Sequence, residues 1–256
     1  MRYALALLAL LLSLSPAFAE NGAAAAPESF SDSQKTAIEE IIKTYLTKEH
    51  PEILMQAMQE LQKRDQASAE AKTQDAIKAK HDQIYSDANT PVGGNPKGDV
   101  TIVEFFDDQC GYCKMSEPFL EKILSEDKNL RFIYKEFPVL GPASTTAAKA
   151  SLAAFRQGND KFIAFHNALL AKKEHLNDDI IYQTAKDVGL DVDKLKADAS
   201  DDATAKQVQA NLDLGTEIGV RGTPMFIIGS KVFPGALQED QLRKAISDAR
   251  AAAKKG

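Results

Sequence analysis

Two cysteines occur among the 256 residues, and they lie three apart: Cys110-Gly111-Tyr112-Cys113. Before them, Thr101-Ile102-Val103-Glu104-Phe105-Phe106 has the composition of an apolar strand that ends in the polar turn Asp107-Asp108-Gln109. After them, Lys114 to Leu124 reads as a helix. A C-x-x-C pair at a strand-to-helix junction is the layout of a thiol redox site. Unpaired backbone N–H groups and the helix dipole at that junction favour a thiolate, the species that attacks a disulfide. Cys110, at the helix start, is therefore the expected nucleophile. Cys113, one turn further in, is the expected resolving thiol. Gly111 and Tyr112 between them tune the pair, unless Tyr112 is simply an exposed loop aromatic. Zinc would need further ligands, and the four histidines (His50, His81, His166, His175) lack ligand spacing. No metal and no cofactor are expected. A structural disulfide closing so small a loop would remove little entropy from the unfolded chain.

The surrounding elements must hold that dithiol. Strand patterns cover Val100–Phe106 and Leu130–Phe137, joined by the redox helix in a β-α-β crossover that makes them parallel. Helical periodicity marks Ala143–Arg156, Asp160–Ala171, Asp178–Val188 and Asp191–Gly215. A short hairpin, Met225–Ile228 and Lys231–Phe233 around Gly229-Ser230, precedes a closing helix at Glu239–Ala252. The turn-rich stretch Thr90–Asp99 reads as the entrance to this domain. Asp107 and Asp108 read as turn residues.

Arg2, the apolar run Leu5–Leu14 and Ala17-Phe18-Ala19 have the form of a cleavable secretory signal, so the mature chain is expected to start at Glu20. Export normally means cysteines paired for stability. A single pair in a reactive layout suggests action on the disulfides of other proteins. The net charge of −6 and the lack of a basic patch argue against nucleic acid as a partner.

Downstream, Ile38, Ile41 and Ile42 share one helical face, His50-Pro51 breaks the helix, and Ile53, Leu54 and Met58 mark a second face. From Gln62 to His81 the sequence is rich in Ala, Lys, Gln and Glu, which form helix but bury little. A polar spacer behind an unpartnered apolar stripe points to self-association, with packing on the main domain as the alternative. The expected division is a signal peptide at 1–19, a helical oligomerisation segment and linker at 20–88, and a catalytic domain at 89–256.

The order strand, C-x-x-C, helix, strand, helical block, Thr-Pro strand, hairpin, helix resembles the DsbA-like family of exported thiol–disulfide oxidoreductases. Val92-Gly93-Gly94-Asn95-Pro96-Lys97-Gly98-Asp99-Val100, Val103-Glu104-Phe105-Phe106, Cys110-Gly111-Tyr112-Cys113-Lys114 and Gly222-Thr223-Pro224-Met225-Phe226 carry the resemblance. They narrow it to the ScsC-like and Com1-like subgroup. Gly-Tyr between the cysteines, with Thr before the proline, is similar to the DsbC-like isomerase motif. The resemblance implies an α/β thioredoxin fold with a helical insertion at about 141–219, preceded by an N-terminal helical oligomerisation segment. It implies a cis Thr223-Pro224 bond facing the redox turn, with the backbone of Thr223 pairing with substrate. Glu104 would lie beneath the site and move protons to and from Cys113, an outward-facing strand position being the alternative. The implied activity is isomerisation, and also formation, of disulfides in exported client proteins in the periplasm. A homodimer or homotrimer and a membrane redox partner for recycling complete the expectation. The alternatives are a dedicated oxidase, or a copper-handling or chaperone binding protein.

Overall fold

The computed structural model describes residues 30–254. The expected signal peptide and its cleavage site lie outside the described residues. By its contacts the chain divides after Lys63 into two units.

In the first unit, helix α1 (Asp32–Thr44) starts at a capping box. The Ser31 hydroxyl accepts from the Gln34 N–H, and the Gln34 side chain accepts from the Ser31 N–H. A π-helical turn, Tyr45–Glu49, carries the chain to His50, where the helix stops one residue before Pro51. Helix α2 (Glu52–Ala79) then begins. No residue of α1 is buried. Ile38, Ile41, Ile42, Leu54 and Met58 are exposed, and Ile53 is half-buried.

The second unit continues with α3 (His81–Tyr85), β1 (Val92–Gly94), β2 (Val100–Phe106), α4 (Gly111–Glu126) and β3 (Leu130–Glu136). Five helices follow: α5 (Pro142–Phe155), α6 (Asn159–Leu170), α7 (Asp178–Asp187), α8 (Val192–Ser200) and α9 (Asp202–Glu217). The hairpin β4 (Met225–Ile228) and β5 (Lys231–Pro234) and the helix α10 (Glu239–Ala253) complete it. The sheet order is β1-β3-β2-β4-β5. β2 and β3 are parallel, and the other pairs are antiparallel.

Side chains on a strand alternate between faces, and β2 shows the consequence. Ile102 and Phe106 enter a core with Leu120, Phe132, Phe162, Phe226 and Leu242. Val103 and Phe105 enter a second core with Ile77, Ile84, Ile133, Phe137 and Leu214. Glu104 has the parity of Ile102 and Phe106, so it points to the face covered by α4 and α6.

Three differences from the sequence reading have physical causes. The division falls after Lys63, upstream of the expected 88/89 boundary, because residues 77–90 belong to the second unit. Ile77 and Ile84 are buried there. Arg131 donates to the Tyr85 carbonyl, and the Lys135 ammonium donates to the Gln83 carbonyl and the Thr90 hydroxyl. β1 forms inside the turn-rich entrance by pairing with β3, with Val92 opposite Ile133. The expected helix Asp191–Gly215 breaks at Asp201, which is extended and caps α9 by accepting from the Ala203 N–H.

Candidate active site

β2 delivers the redox turn. Asp107 shapes it: one carboxylate oxygen accepts from the Gln109 N–H, and the other from the Val139 and Leu140 N–H groups. The Asp107 carbonyl takes the Cys110 N–H at 2.8 Å. Cys110 is then the N-cap of α4, with extended backbone and no side-chain cap bond. Both thiols are free and buried, Cys113 completely.

The two sulfurs differ sharply in acidity. The Cys110 thiol is brought down from 9.0 to about 5, chiefly by the hydrogen bond from Cys113. The Thr223 side chain and the backbone N–H groups of Cys113 and Tyr112 pull the same way, against the cost of burial. The Cys113 thiol is pushed far up, first by burial, then by its bond to Cys110 and the charge of Glu104. This is the asymmetry of an attacking thiolate backed by a protonated thiol. Tyr112 is exposed beside them. Gly111 has open space where a Cβ would stand, so packing does not require glycine there.

Thr223 comes from the loop before β4. The Thr223-Pro224 bond is cis, as the resemblance implied. The Thr223 carbonyl lies 3.2 Å from the Cys110 sulfur and accepts from its thiol. Antiparallel pairing of β4 with β2 sets this loop against the redox turn, with Phe105 opposite Met225.

Glu104 is fully buried and neither carboxylate oxygen has a hydrogen-bond partner, which excludes the outward-facing alternative. Burial raises its carboxyl well above 4.5, and the charges of Glu117, Cys110 and Asp108 add to the effect. Glu104 thus senses the charge of Cys110, and Cys113 that of Glu104. The structure brings Cys110, Cys113, Gly111, Tyr112, Glu104, Thr223 and Pro224 together. Ile38, Ile41, Ile42, Ile53, Leu54 and Met58 belong to α1 and α2 instead.

The sequence reading missed several buried titratable groups. Asp108, read as a turn residue, is buried without hydrogen-bond partners, as is Glu136 at the end of β3. Glu117 on α4 and His166 on α6 are buried as well. The helical spacing of Phe162, Phe165, His166 and Leu169 was the signal that could have placed His166 inside. No comparable pattern marks Asp108.

The geometry agrees with comparisons to known proteins. Residues 101–247 match the model of the DSBA-like thioredoxin domain, and residues 34–68 match that of the "Copper resistance protein ScsC N-terminal domain". A thioredoxin-like oxidoreductase from Silicibacter pomeroyi DSS-3 is similar at 37% identity and TM-score 0.63, over 66% of this chain and 97% of that one. A linker-deletion mutant of ScsC from Proteus mirabilis is similar at 29% identity and TM-score 0.68, over 89% of this chain and 100% of that one. Among curated relatives, the Na(+)/H(+) antiporter NhaA 3 of Salinispora tropica is 28% identical over 64% of this chain. The chain spans only 25% of that relative's length. The dithiol at the start of α4, the loop of Thr223 against it and the matched span between β2 and α10 place the chain in the DsbA-like thioredoxin family, with the thioredoxin fold.

Proposed function

We propose that this chain is an exported, periplasmic thiol–disulfide oxidoreductase that isomerises, and also forms, disulfide bonds in other secreted proteins. The observation that carries the reading is the split in acidity between Cys110 and Cys113 beside the Thr223 backbone. The Cys110 thiolate attacks a client disulfide, forms a Cys110–client S–S bond and releases the second client sulfur as a thiolate. In isomerisation, a client thiolate then attacks its own sulfur in that mixed disulfide, forms a new client S–S bond and returns the Cys110 thiolate. In resolution, the Cys113 S–H bond breaks and its proton passes to Glu104. The Cys113–Cys110 bond forms, and the client sulfur leaves with the electron pair. Disulfide formation runs the same steps backwards from the oxidised pair, which a membrane redox partner regenerates.

Glu104 is suited to this by its coupling to Cys110. The Cys110 thiolate is one of the charges that hold Glu104 protonated. Once Cys110 is tied up in a mixed disulfide, that charge is gone and Glu104 ionises more readily, ready to accept a proton when Cys113 must lose one. Thr223 and Pro224 border the place where an extended client chain would meet the sulfur, and Tyr112 flanks it.

Isomerisation is favoured by the Gly111-Tyr112 and Thr223-Pro224 pairings and by the first unit. Ile41 and Met58 are 66% and 55% exposed there, and Ile38, Ile42 and Leu54 add to the stripe. Such a surface supports a homodimer or homotrimer, which would hold several dithiols around one client and raise their effective concentration. Arg2, Leu5–Leu14 and Ala17-Phe18-Ala19 support export. No helix among the described residues is long and apolar enough to cross a membrane.

Reactivation of a scrambled, disulfide-bonded protein in a glutathione buffer tests the reading. Recovery with the intact chain and none with Cys110→Ala is the expected result. Oxidation of reduced dithiols without any unscrambling would leave a dedicated oxidase. Neither activity would sink the enzyme reading.

A further inference from the structure

His166 lies between two carboxyl groups that flank the dithiol. Its Nε2 is 3.6 Å from Glu117 Oε2, and its Nδ1 is 4.0 Å from Asp108 Oδ1. These are charge-pair distances, longer than hydrogen bonds. Both ring nitrogens are buried without a hydrogen-bond partner. Asp108 stands two residues before Cys110. Glu117 stands four after Cys113, on the same face of α4. Three aromatic rings close the site: Phe106 at 4.6 Å, Tyr134 at 4.9 Å and Phe162 stacked at 5.7 Å from the imidazole.

The other titratable neighbours are nearly all acidic. From α4, Glu121 also feels the imidazole and accepts a bond from the Asn167 amide. From β2, Glu104 is raised first by burial and then by Glu117, Cys110 and Asp108. From β3, Glu136 is raised first by burial and then by Asp108, Asp107 and Glu104. The Tyr134 phenol is raised first by burial and then by Glu117, Glu104 and Glu121. The polar groups of α5 at this level are the hydroxyls of Ser144 and Ser151. Lys114 reaches Asp108 only through its field, and its ammonium bonds the Lys172 carbonyl. His166 is thus the only buried side chain on this face of the sheet, among the described residues, that can carry a positive charge.

We propose that His166 is a positioning residue for the dithiol, holding a proton between Asp108 and Glu117 so that Glu104 can ionise and take the proton of Cys113. The chain of influence runs through charges already described. Burial first, then the charges of Glu117, Cys110 and Asp108, hold Glu104 protonated, and a proton on the imidazole stands against two of those charges, Glu117 and Asp108. Two carboxylates and one imidazolium still leave a net negative charge, which is costly to bury. The charge to be offset therefore grows as the pH passes neutrality and the second carboxyl ionises. Asp108 is that second carboxyl, raised to about 7 by burial although His166 pulls it down.

This inference rests on the thiol-exchange reading above, and one experiment separates the two. A chromogenic mixed disulfide is formed on Cys110 of the intact chain, and its resolution by Cys113 is followed from pH 4 to 9 alongside thermal melts. His166→Gln leaves the two carboxylates unopposed, so the midpoint of the pH–rate profile should rise by about one unit. That is roughly tenfold slower resolution below the midpoint, with the same limiting rate at high pH. Asp108→Asn should move the midpoint down. The double variant should return close to wild type, because the two groups act on the site as one pair. A lower melting temperature with an unmoved midpoint would reduce His166 to a packing residue and overturn the proposal. Should His166→Gln fail to fold, the wild-type imidazole decides: nitrogen-15 NMR showing a neutral ring at the resolution midpoint overturns the proposal, and a protonated ring supports it. Absence of resolution in the wild-type chain would instead overturn the thiol-exchange reading.

Discussion

At the scale of single residues, the acidity of Cys110 is borrowed. Its largest source is the hydrogen bond from Cys113, so Cys113→Ala should raise the pH midpoint of Cys110 alkylation above about 5. It should remain below 9.0, because Thr223 and the N–H groups of the helix start are still present. Alkylation rates from pH 3 to 10 would show this. Glu104 should reveal itself in stability. A carboxyl raised in the native state costs stability as pH climbs above its unfolded value of 4.5. Glu104→Gln should therefore gain stability relative to wild type as the pH rises from 4 to 7. The gain should vanish near pH 4, where both states carry the proton. Melting curves at the two pH values check the sign. The cysteines were legible because chemistry and spacing pointed to them, and Glu104 because the resemblance put its position beneath the site. Asp108 and His166 were not, because their significance is a meeting across a turn and two helices, and no local pattern encodes such a meeting.

At the scale of elements, the strands and the redox helix followed from apolar runs and punctuation, and their ends shifted by only a few residues. What escaped was settled by tertiary packing. β1 has too few apolar residues to declare itself and exists because β3 offers a pairing edge. Asp201 breaks a continuous helical pattern, since its carboxylate competes for a backbone N–H. Ile77 and Ile84 sit in a stretch that otherwise buries almost nothing, so the stripe was too sparse to read as core. Ile84 is fully buried against the second face of the sheet. Ile84→Ala should cost about 2–5 kcal/mol, measurable by urea unfolding, although the residue belongs to the supposed linker. Gly215 is constrained in the opposite sense, since an added Cβ would fall into the ring of Phe137.

At the scale of the whole molecule, the separable catalytic piece begins earlier than composition suggested. A chain starting at Arg64 should fold, keep acid-shifted alkylation of Cys110 and run as a monomer in light scattering. A chain starting at Asn89 should unfold under the same conditions, having lost Ile77, Ile84 and Asp87. A higher-order mass for the fragment starting at Arg64 would remove the first unit from the account of self-association. The anchorage at Lys135 has a mechanical consequence. Its ammonium holds the Gln83 carbonyl, the Thr90 hydroxyl and Asp87, while Arg131, four residues earlier on the same strand, holds the Tyr85 carbonyl. Tension entering through α2 meets these bonds loaded side by side, so it is spent on β3 before it can reach the redox strand. Pulled from residue 64 in an optical trap, the protein should yield in one abrupt rupture. Lys135→Met should let residues 64–90 peel away first, at lower force, with the dithiol still in place.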